Sequence, residues 1–269
     1  MKLKVMVSVL LLSVILVPAV TAQDSSVDCD PAVLSETIVA TSKRLYDAAP
    51  GEVQQILDEL ESITTSWRES CVVPIEDYRG IPQSRTDDGG FVLGDPSAPV
   101  TIVEFADFLC PYCQSYKPVI DQFIVDFVAT GQARFEYRFF PVVDPTYSPL
   151  AARFAECTDT LQPGAFWRAQ DTLFTITSQG RFAPTMLRDF AVAMEMSYDD
   201  LAACAQTADQ VDTDRALGNS LGIPGTPGVM VRYGDDTPQW IVMNGQTYDQ
   251  GGPSYDVLQS VVRNSNRQS

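Results

Sequence analysis

Apolar positions recur along this chain with two different periods. Val53, Ile56, Leu57, Leu60, Ile63 and Trp67 fall on one stripe at helical spacing, the period of an amphipathic helix. Upstream, Leu34, Ile38, Thr41 and Leu45 repeat the pattern behind Asp30 as N-cap and Pro31 at the first helical position, the residue types a helix start favours. Ala49-Pro50-Gly51 breaks the run, so the spacing predicts two helices of similar length packed antiparallel. That geometry sets Cys29 beside Cys71. A Cys29–Cys71 disulfide would close a loop of about 43 residues and stabilise by up to ~4 kcal/mol; two unrelated cysteines is the alternative. Pro74, Gly80, Pro82 and Asp87 to Gly90 then loosen the chain. The appendage is therefore set at residues 23–80 and a linker at 81–90.

From Phe91 the period changes. Val100 to Phe105 is apolar and β-branched around Glu104, and Gln132 to Val142 is rich in aromatic and β-branched residues, so both read as central strands. A helical pattern from Gln114 to about Thr130 lies between them and ends at Gly131. Tyr147 to Leu221 is helical with breaks at Pro163-Gly164, Gln179-Gly180 and Pro184. Strands are expected from Thr226 and over Gln239 to Met243, joined by a turn at Gly234-Asp235-Asp236, with Asn244-Gly245 closing the pair and a last helix over Pro253 to Val262. The order is an α/β fold with short crossovers.

Where the first strand gives way to the first helix stands Cys110-Pro111-Tyr112-Cys113. A helix N-terminus carries unpaired N–H groups and partial positive charge, which favour a thiolate on the first cysteine. The second, one turn on, is placed to close a disulfide. The tetrad is also half of a zinc site, so its surroundings decide. Among 269 residues there is no histidine, which removes Ser-His-Asp and Cys-His catalysis and most catalytic zinc sites. Eighteen basic against 35 acidic residues give a net charge of −17, a poor basis for binding nucleic acid or anionic lipid.

The first residues place the chain outside the cytoplasm. Lys2 and Lys4 precede an apolar run from Val5 to Val17, Pro18 breaks it, and Val20-Thr21-Ala22 is a small-residue cleavage site. This reads as a signal peptide over residues 1–22 with cleavage near Ala22, and an uncleaved anchor as the alternative. Six cysteines in an exported chain suggest three disulfides, or two plus a redox pair.

The segment Gly94 to Lys117, with Gly225-Thr226-Pro227 much later, resembles the DsbA-like branch of the thioredoxin superfamily, and within it the BdbD-type extracytoplasmic oxidoreductases. The resemblance covers residues 91–264 and leaves a short tail at 265–269. It implies a thioredoxin fold with a helical insert at about 147–221 and an enzyme of thiol:disulfide exchange. Under it Cys110 is the exposed nucleophile and Cys113 the buried resolving cysteine. Pro118 is a kink proline, and Pro227 a cis-proline facing the pair. Thr226 offers its backbone to an extended substrate, which Pro111 and Tyr112 flank. Glu104 is the buried acid beneath the disulfide, able to shuttle the Cys113 proton; a solvated edge-strand acid is the other reading. Tyr112 stands where strong oxidants of the branch carry His, so Cys110 is expected to be less acidic than theirs, and Asp107 would oppose a thiolate further if it lies close. Some relatives carry an extra disulfide in the insert, which suggests Cys157–Cys204; free thiols or a second redox pair are the alternatives.

The expected activity is oxidation of reduced, unfolded exported proteins by a monomer in the periplasm or at the cell exterior. The resemblance implies a membrane partner of the DsbB or vitamin-K-epoxide-reductase type to reoxidise it. No cofactor is expected. A reductase or isomerase differs by redox poise, a thiolate metal carrier would use Cys110 and Cys113 as ligands, and a binding module would keep the disulfide for structure alone.

Overall fold

The computed structural model describes residues 37, 39–45, 48–49, 51–71, 78, 80–179 and 185–267. The proposed signal peptide, Cys29 and the Cys29–Cys71 pairing lie outside these residues. The chain forms two units, Met1–Val73 and Pro74–Ser269.

In the first unit, α1 (residues 39–45) and α2 (Val53–Cys71) are helical. Arg44 in α1 pairs with Glu59 in α2, both carboxylate oxygens lying at 2.9 Å. Thr41 and Ile56 are buried, as the stripe predicts, but Leu57 is 43% exposed. Leu57 directly follows Ile56, so a narrow packed seam leaves it outside.

The second unit is built on one seven-stranded sheet in the order β1-β2-β4-β3-β5-β6-β7. The strands are β1 (Gln83–Arg85), β2 (Phe91–Leu93), β3 (Val100–Ala106), β4 (Arg134–Phe139), β5 (Gly228–Tyr233), β6 (Gln239–Met243) and β7 (Gln246–Tyr248). β3 and β4 pair in parallel and the other pairs are antiparallel. The stretch expected as a linker thus contains an edge strand. All three β1 residues are exposed, so no apolar alternation announces it; backbone hydrogen bonds to β2 recruit it, helped by Arg85 lying over the Phe91 ring at 3.9 Å. β7 departs in the same way from the expectation that the sheet closes at Asn244-Gly245.

Helix α3 (Pro111–Phe123) runs straight into a π-helical turn, Ile124–Val128, and Gly131 follows at φ 74°. The insert supplies α4 (Tyr147–Leu161), α5 (Phe166–Ser178), α6 (Met186–Ala193), α7 (Tyr198–Cys204) and α8 (Gln210–Ser220), and α9 (Tyr255–Ser265) closes the unit. α3 packs between α5 and α9. A disulfide joins Cys157 in α4 to Cys204 at the end of α7. Aromatic rings weld the insert to the sheet: Phe166 stacks on Phe91 at 3.5 Å, and Phe174 meets Phe108 at 5.0 Å. These are the contacts of a packed core.

One buried cation ties sheet to insert. Arg138 in β4 donates to Glu136 at 2.6 Å, to Asp214 of α8 at 2.9 Å and to Asp88 at 2.7 Å. Asp214 also accepts from the Phe139 backbone N–H at 2.9 Å. Gly90 permits this, because a Cβ there would lie 2.3 Å from the Arg138 guanidinium carbon. Burial pushes the Asp214 carboxyl up to about 6, against the pull of Arg138. We expect Arg138→Met to destabilise the protein by about 3–5 kcal/mol at neutral pH, because it leaves the buried Asp214 carboxylate without its cation, whereas Glu136 keeps Arg232 at 3.0 Å. Asp214 would then bind a proton more readily folded than unfolded, so the deficit should shrink as pH falls. Urea unfolding of wild type and variant across pH measures both effects.

Candidate active site

Strand register brings the distant pieces together. β3 ends at Ala106 and leads into the cysteine tetrad, while β5 starts at Gly228 directly opposite Phe105. The residues before β5 therefore stand beside the start of α3. The Thr226–Pro227 peptide is cis, and the Thr226 carbonyl lies 3.3 Å from Cys110 Sγ, accepting its S–H when Cys110 is protonated.

Cys110 is the N-cap of α3 and Pro111 its first residue, where the missing N–H of proline costs nothing. Cys110 and Cys113 are free thiols. The resemblance implies an exposed Cys110, but the residue is only 4% exposed, and Cys113 is fully covered. The cis-proline loop closing over the helix start is the reason. Exposure at this end falls to Pro111 and to Tyr112, which is 76% exposed.

The two thiols are electrostatically unlike. The hydrogen bond from the Cys113 thiol lowers Cys110 to about 6; burial works against this, and the Thr226 hydroxyl and the Cys113 and Tyr112 backbone N–H groups add to it. Burial pushes Cys113 far up, helped by its bond to Cys110 and by the nearby Glu104 charge. Cys110 is therefore the thiolate at neutral pH and Cys113 holds the proton. The Tyr112 side chain takes no part in this.

Glu104 lies in the middle of the sheet at 2% exposure, level with Tyr137 of β4, and not on an edge strand. Burial raises it to about 8, with Lys117 pulling down and Asp121 and Cys110 pushing up. It is thus mostly protonated at neutral pH with its ionised form within reach, which suits it to give a proton to a thiolate and take one back. Asp107, 2% exposed, is spent otherwise: its carboxylate accepts from the backbone N–H groups of Leu109, Val142 and Val143 at 2.8–2.9 Å. It braces the loop in front of Cys110.

Beside the cis-proline lies a cavity of about 330 Å³ bordered by Pro224, Gly225, Thr226, Gln250 and Gly251. Its far wall is pinned to α3, because the Tyr116 hydroxyl donates to the Pro253 carbonyl at 2.8 Å and the Tyr116 ring fits against Gly252, where a Cβ would sit 2.1 Å away. The sequence reading missed this wall, and it missed Lys117. The available signal for Lys117 was its place four residues after Cys113, on the same side of α3. Among the described residues no cluster of three or more His, Cys, Asp or Glu could hold a metal ion.

Residues 86–234 match the family profile described as Thioredoxin, which is more than half of the chain. The chain belongs to the thioredoxin family. It is 30% identical over 149 residues to Disulfide bond formation protein D of Bacillus subtilis, across 52% of this chain and 66% of that one. It superposes on the crystal structure of oxidised BdbD from Bacillus subtilis with a TM-score of 0.53 and 26% identity, over 65% of this chain and 91% of that one. The fold is thus the DsbA-like variant of thioredoxin. A further relative, Na(+)/H(+) antiporter NhaA 3 of Salinispora tropica, is 31% identical over 144 residues, covering 52% of this chain but only 21% of the antiporter. The chain spans about a fifth of that curated relative.

Glu104 gives a test of the site's electrostatics. Its folded pKa, about 8, lies above its ordinary 4.5, so wild type loses stability as pH rises through that interval. Glu104→Gln lacks this loss. For the reduced proteins we expect near-equal stability at about pH 4 and a variant more stable by on the order of 4 kcal/mol at about pH 9. Comparing the two proteins by urea unfolding cancels the Cys110 titration common to both.

Proposed function

We propose that the protein is an exported thiol:disulfide oxidoreductase that donates the Cys110–Cys113 disulfide to secreted polypeptides. The observation that carries this reading is the thiolate-favouring Cys110, bonded to the cis-proline loop and one helical turn from a proton-holding Cys113. A stabilised thiolate favours the reduced form, and a pair more stable when reduced is an oxidant.

A substrate thiolate attacks Cys110 Sγ of the disulfide, forming a mixed disulfide and expelling Cys113 as thiolate, which takes the Glu104 proton. A second substrate thiolate attacks the substrate sulfur of the mixed disulfide and expels the Cys110 thiolate. The substrate is oxidised by two electrons and the cysteine pair is reduced. Thr226 can pair with the extended substrate backbone, with Pro111 and Tyr112 at its margin and Pro227 fixing the loop. A membrane partner of the DsbB or vitamin-K-epoxide-reductase type would restore the disulfide. Residues 1–22 would serve as signal peptide, which puts the mature chain outside the cytoplasm. No helix among the described residues is long and apolar enough to cross a membrane.

A second reading, a reductase or isomerase kept reduced by a membrane donor, has Tyr112 in its favour. Its side chain is 76% exposed and adds no positive charge beside the thiolate. The reduction potential separates the two. We expect a value more positive than about −230 mV for the donor of disulfides, read by alkylation trapping in glutathione buffers. A value near or below that would favour the reductase. Cys113→Ser should accumulate mixed disulfides, its Cys110 thiolate attacking a disulfide-bonded substrate and expelling one substrate thiolate that no Cys113 follows to resolve, and Cys110→Ser should form none, as read on non-reducing gels with a disulfide-containing unfolded substrate.

A further inference from the structure

The cavity beside the cis-proline has two unlike walls. One, Pro224-Gly225-Thr226, leads into β5 and is held in place by the β3–β5 ladder. The other, Gln250-Gly251, follows β7 and belongs to no strand. A single parallel bridge between Gly228 and Gly251 joins the two walls at one end. Gly251 has φ 65°, a conformation that favours glycine. Left to itself, so short and irregular a segment would not keep a set distance from Thr226.

Tyr116 supplies the missing anchor. Its hydroxyl donates to the Pro253 carbonyl at 2.8 Å, and its ring fills the space a Gly252 side chain would need. Tyr116 is 8% exposed and Pro253 is buried, so breaking this bond leaves two covered polar groups unpaired. A tyrosine serving the core alone would be replaced by phenylalanine without loss; here the hydroxyl is spent on the wall. Tyr116 stands on α3, three residues after Cys113. The second wall is therefore referenced to the helix that carries the cysteines.

The lining has its own chemistry. Pro224, Gly225, Thr226, Gln250 and Gly251 carry no charge and no large apolar side chain, in a chain with 35 acidic residues. Main-chain groups and short polar side chains are what this cavity offers, and such a surface reads an extended polypeptide through its backbone. It lies beside Cys110, whose Sγ is 3.3 Å from the Thr226 carbonyl. We propose that Tyr116 is a positioning residue for the polypeptide substrate: by anchoring Gly252 and Pro253 to α3, it sets the Gln250-Gly251 wall so that an extended chain is held by its backbone from both sides next to Cys110. The inference rests on the exchange function proposed above and names its substrate class. A small thiol reaches Cys110 without using the second wall, so Tyr116 favours polypeptides over small thiols.

The test is single-turnover reduction of the Cys110–Cys113 disulfide by a reduced two-cysteine peptide at varied concentration, with reduced glutathione as the small-thiol reference. Acid quenching and alkylation read the reaction. Tyr116→Phe keeps the ring against Gly252 and removes the bond to Pro253. It should raise the half-saturating peptide concentration about three- to tenfold and leave the maximal rate, the glutathione rate and the reduction potential unchanged, the pattern of lost substrate binding. Gln250→Trp, which fills the cavity from an exposed position, should weaken peptide binding further and spare glutathione as well. A folded Tyr116→Phe protein with wild-type half-saturation overturns the proposal, and so does one that slows peptide and glutathione alike. Wild-type peptide binding in Gln250→Trp also overturns it, which keeps the test decisive if Tyr116→Phe does not fold. Failure of the exchange reading itself looks different: neither peptide nor glutathione would then reduce the wild-type disulfide.

Discussion

The site depends on one unequal division of a proton between two sulfurs. Cys110 and Cys113 are chemically identical and one helical turn apart, yet one is driven down to about 6 and the other far up. The division follows from depth. Cys113 points into the core between β3 and α3, where charge is penalised, and it can lower that penalty only by giving a hydrogen bond to its neighbour. Cys110, at the helix start, collects that bond together with two backbone N–H groups and the Thr226 hydroxyl. Each element around the pair preserves the asymmetry: β3 brings Glu104 beneath Cys113, Asp107 fixes the loop, and the cis-proline loop caps Cys110.

Holding this arrangement requires a sheet that does not shear, because β3 and β5 carry its two halves. The sheet is stiffened from both faces. Aromatic rings from α5 lock onto β2 and β4, and the Arg138 cluster joins the turn before β2, strand β4 and α8 around one buried cation. The Cys157–Cys204 bond fastens α4 to α7 within the same insert. The insert is thereby part of the scaffold of the site, and through Asp171 of α5 it also pairs with Lys117 of α3 at 2.6 Å.

How much of this the residues announce depends on the range of the forces involved. β3, the tetrad, the helix after it and the Gly225-Thr226-Pro227 loop were legible because local pattern and local chemistry coincide there. Strands β1 and β7 were not: three residues each, polar and mostly exposed, they exist because a neighbouring strand offers hydrogen bonds. Arg138 hides in an aromatic strand that reads as plain core, and only the fold brings it Asp88 and Asp214 from far along the chain. Lys117 reads as a solvated helix lysine until Asp171, more than fifty residues later, is folded against it. The near-complete cover over Cys110 is likewise a product of a loop 116 residues away.

Tyr112 shows how far local chemistry can be trusted for redox poise. Its side chain stands 76% exposed, so what position 112 gives the thiolate is a backbone N–H that almost any residue would supply. A histidine there would add a charge; tyrosine adds none, and the acidity of Cys110 is left to Cys113, Thr226 and the helix start. That set is fixed by the fold and not by the residues between the cysteines. An intermediate thiol acidity follows: Cys110 is more acidic than an ordinary cysteine, at about 6, and less acidic than thiols at ~3.5, where further positive charge is added. The acidity of Cys110 is therefore set first by the hydrogen bond from Cys113 and next by the Thr226 loop and the helix start, with position 112 free to tune it from outside.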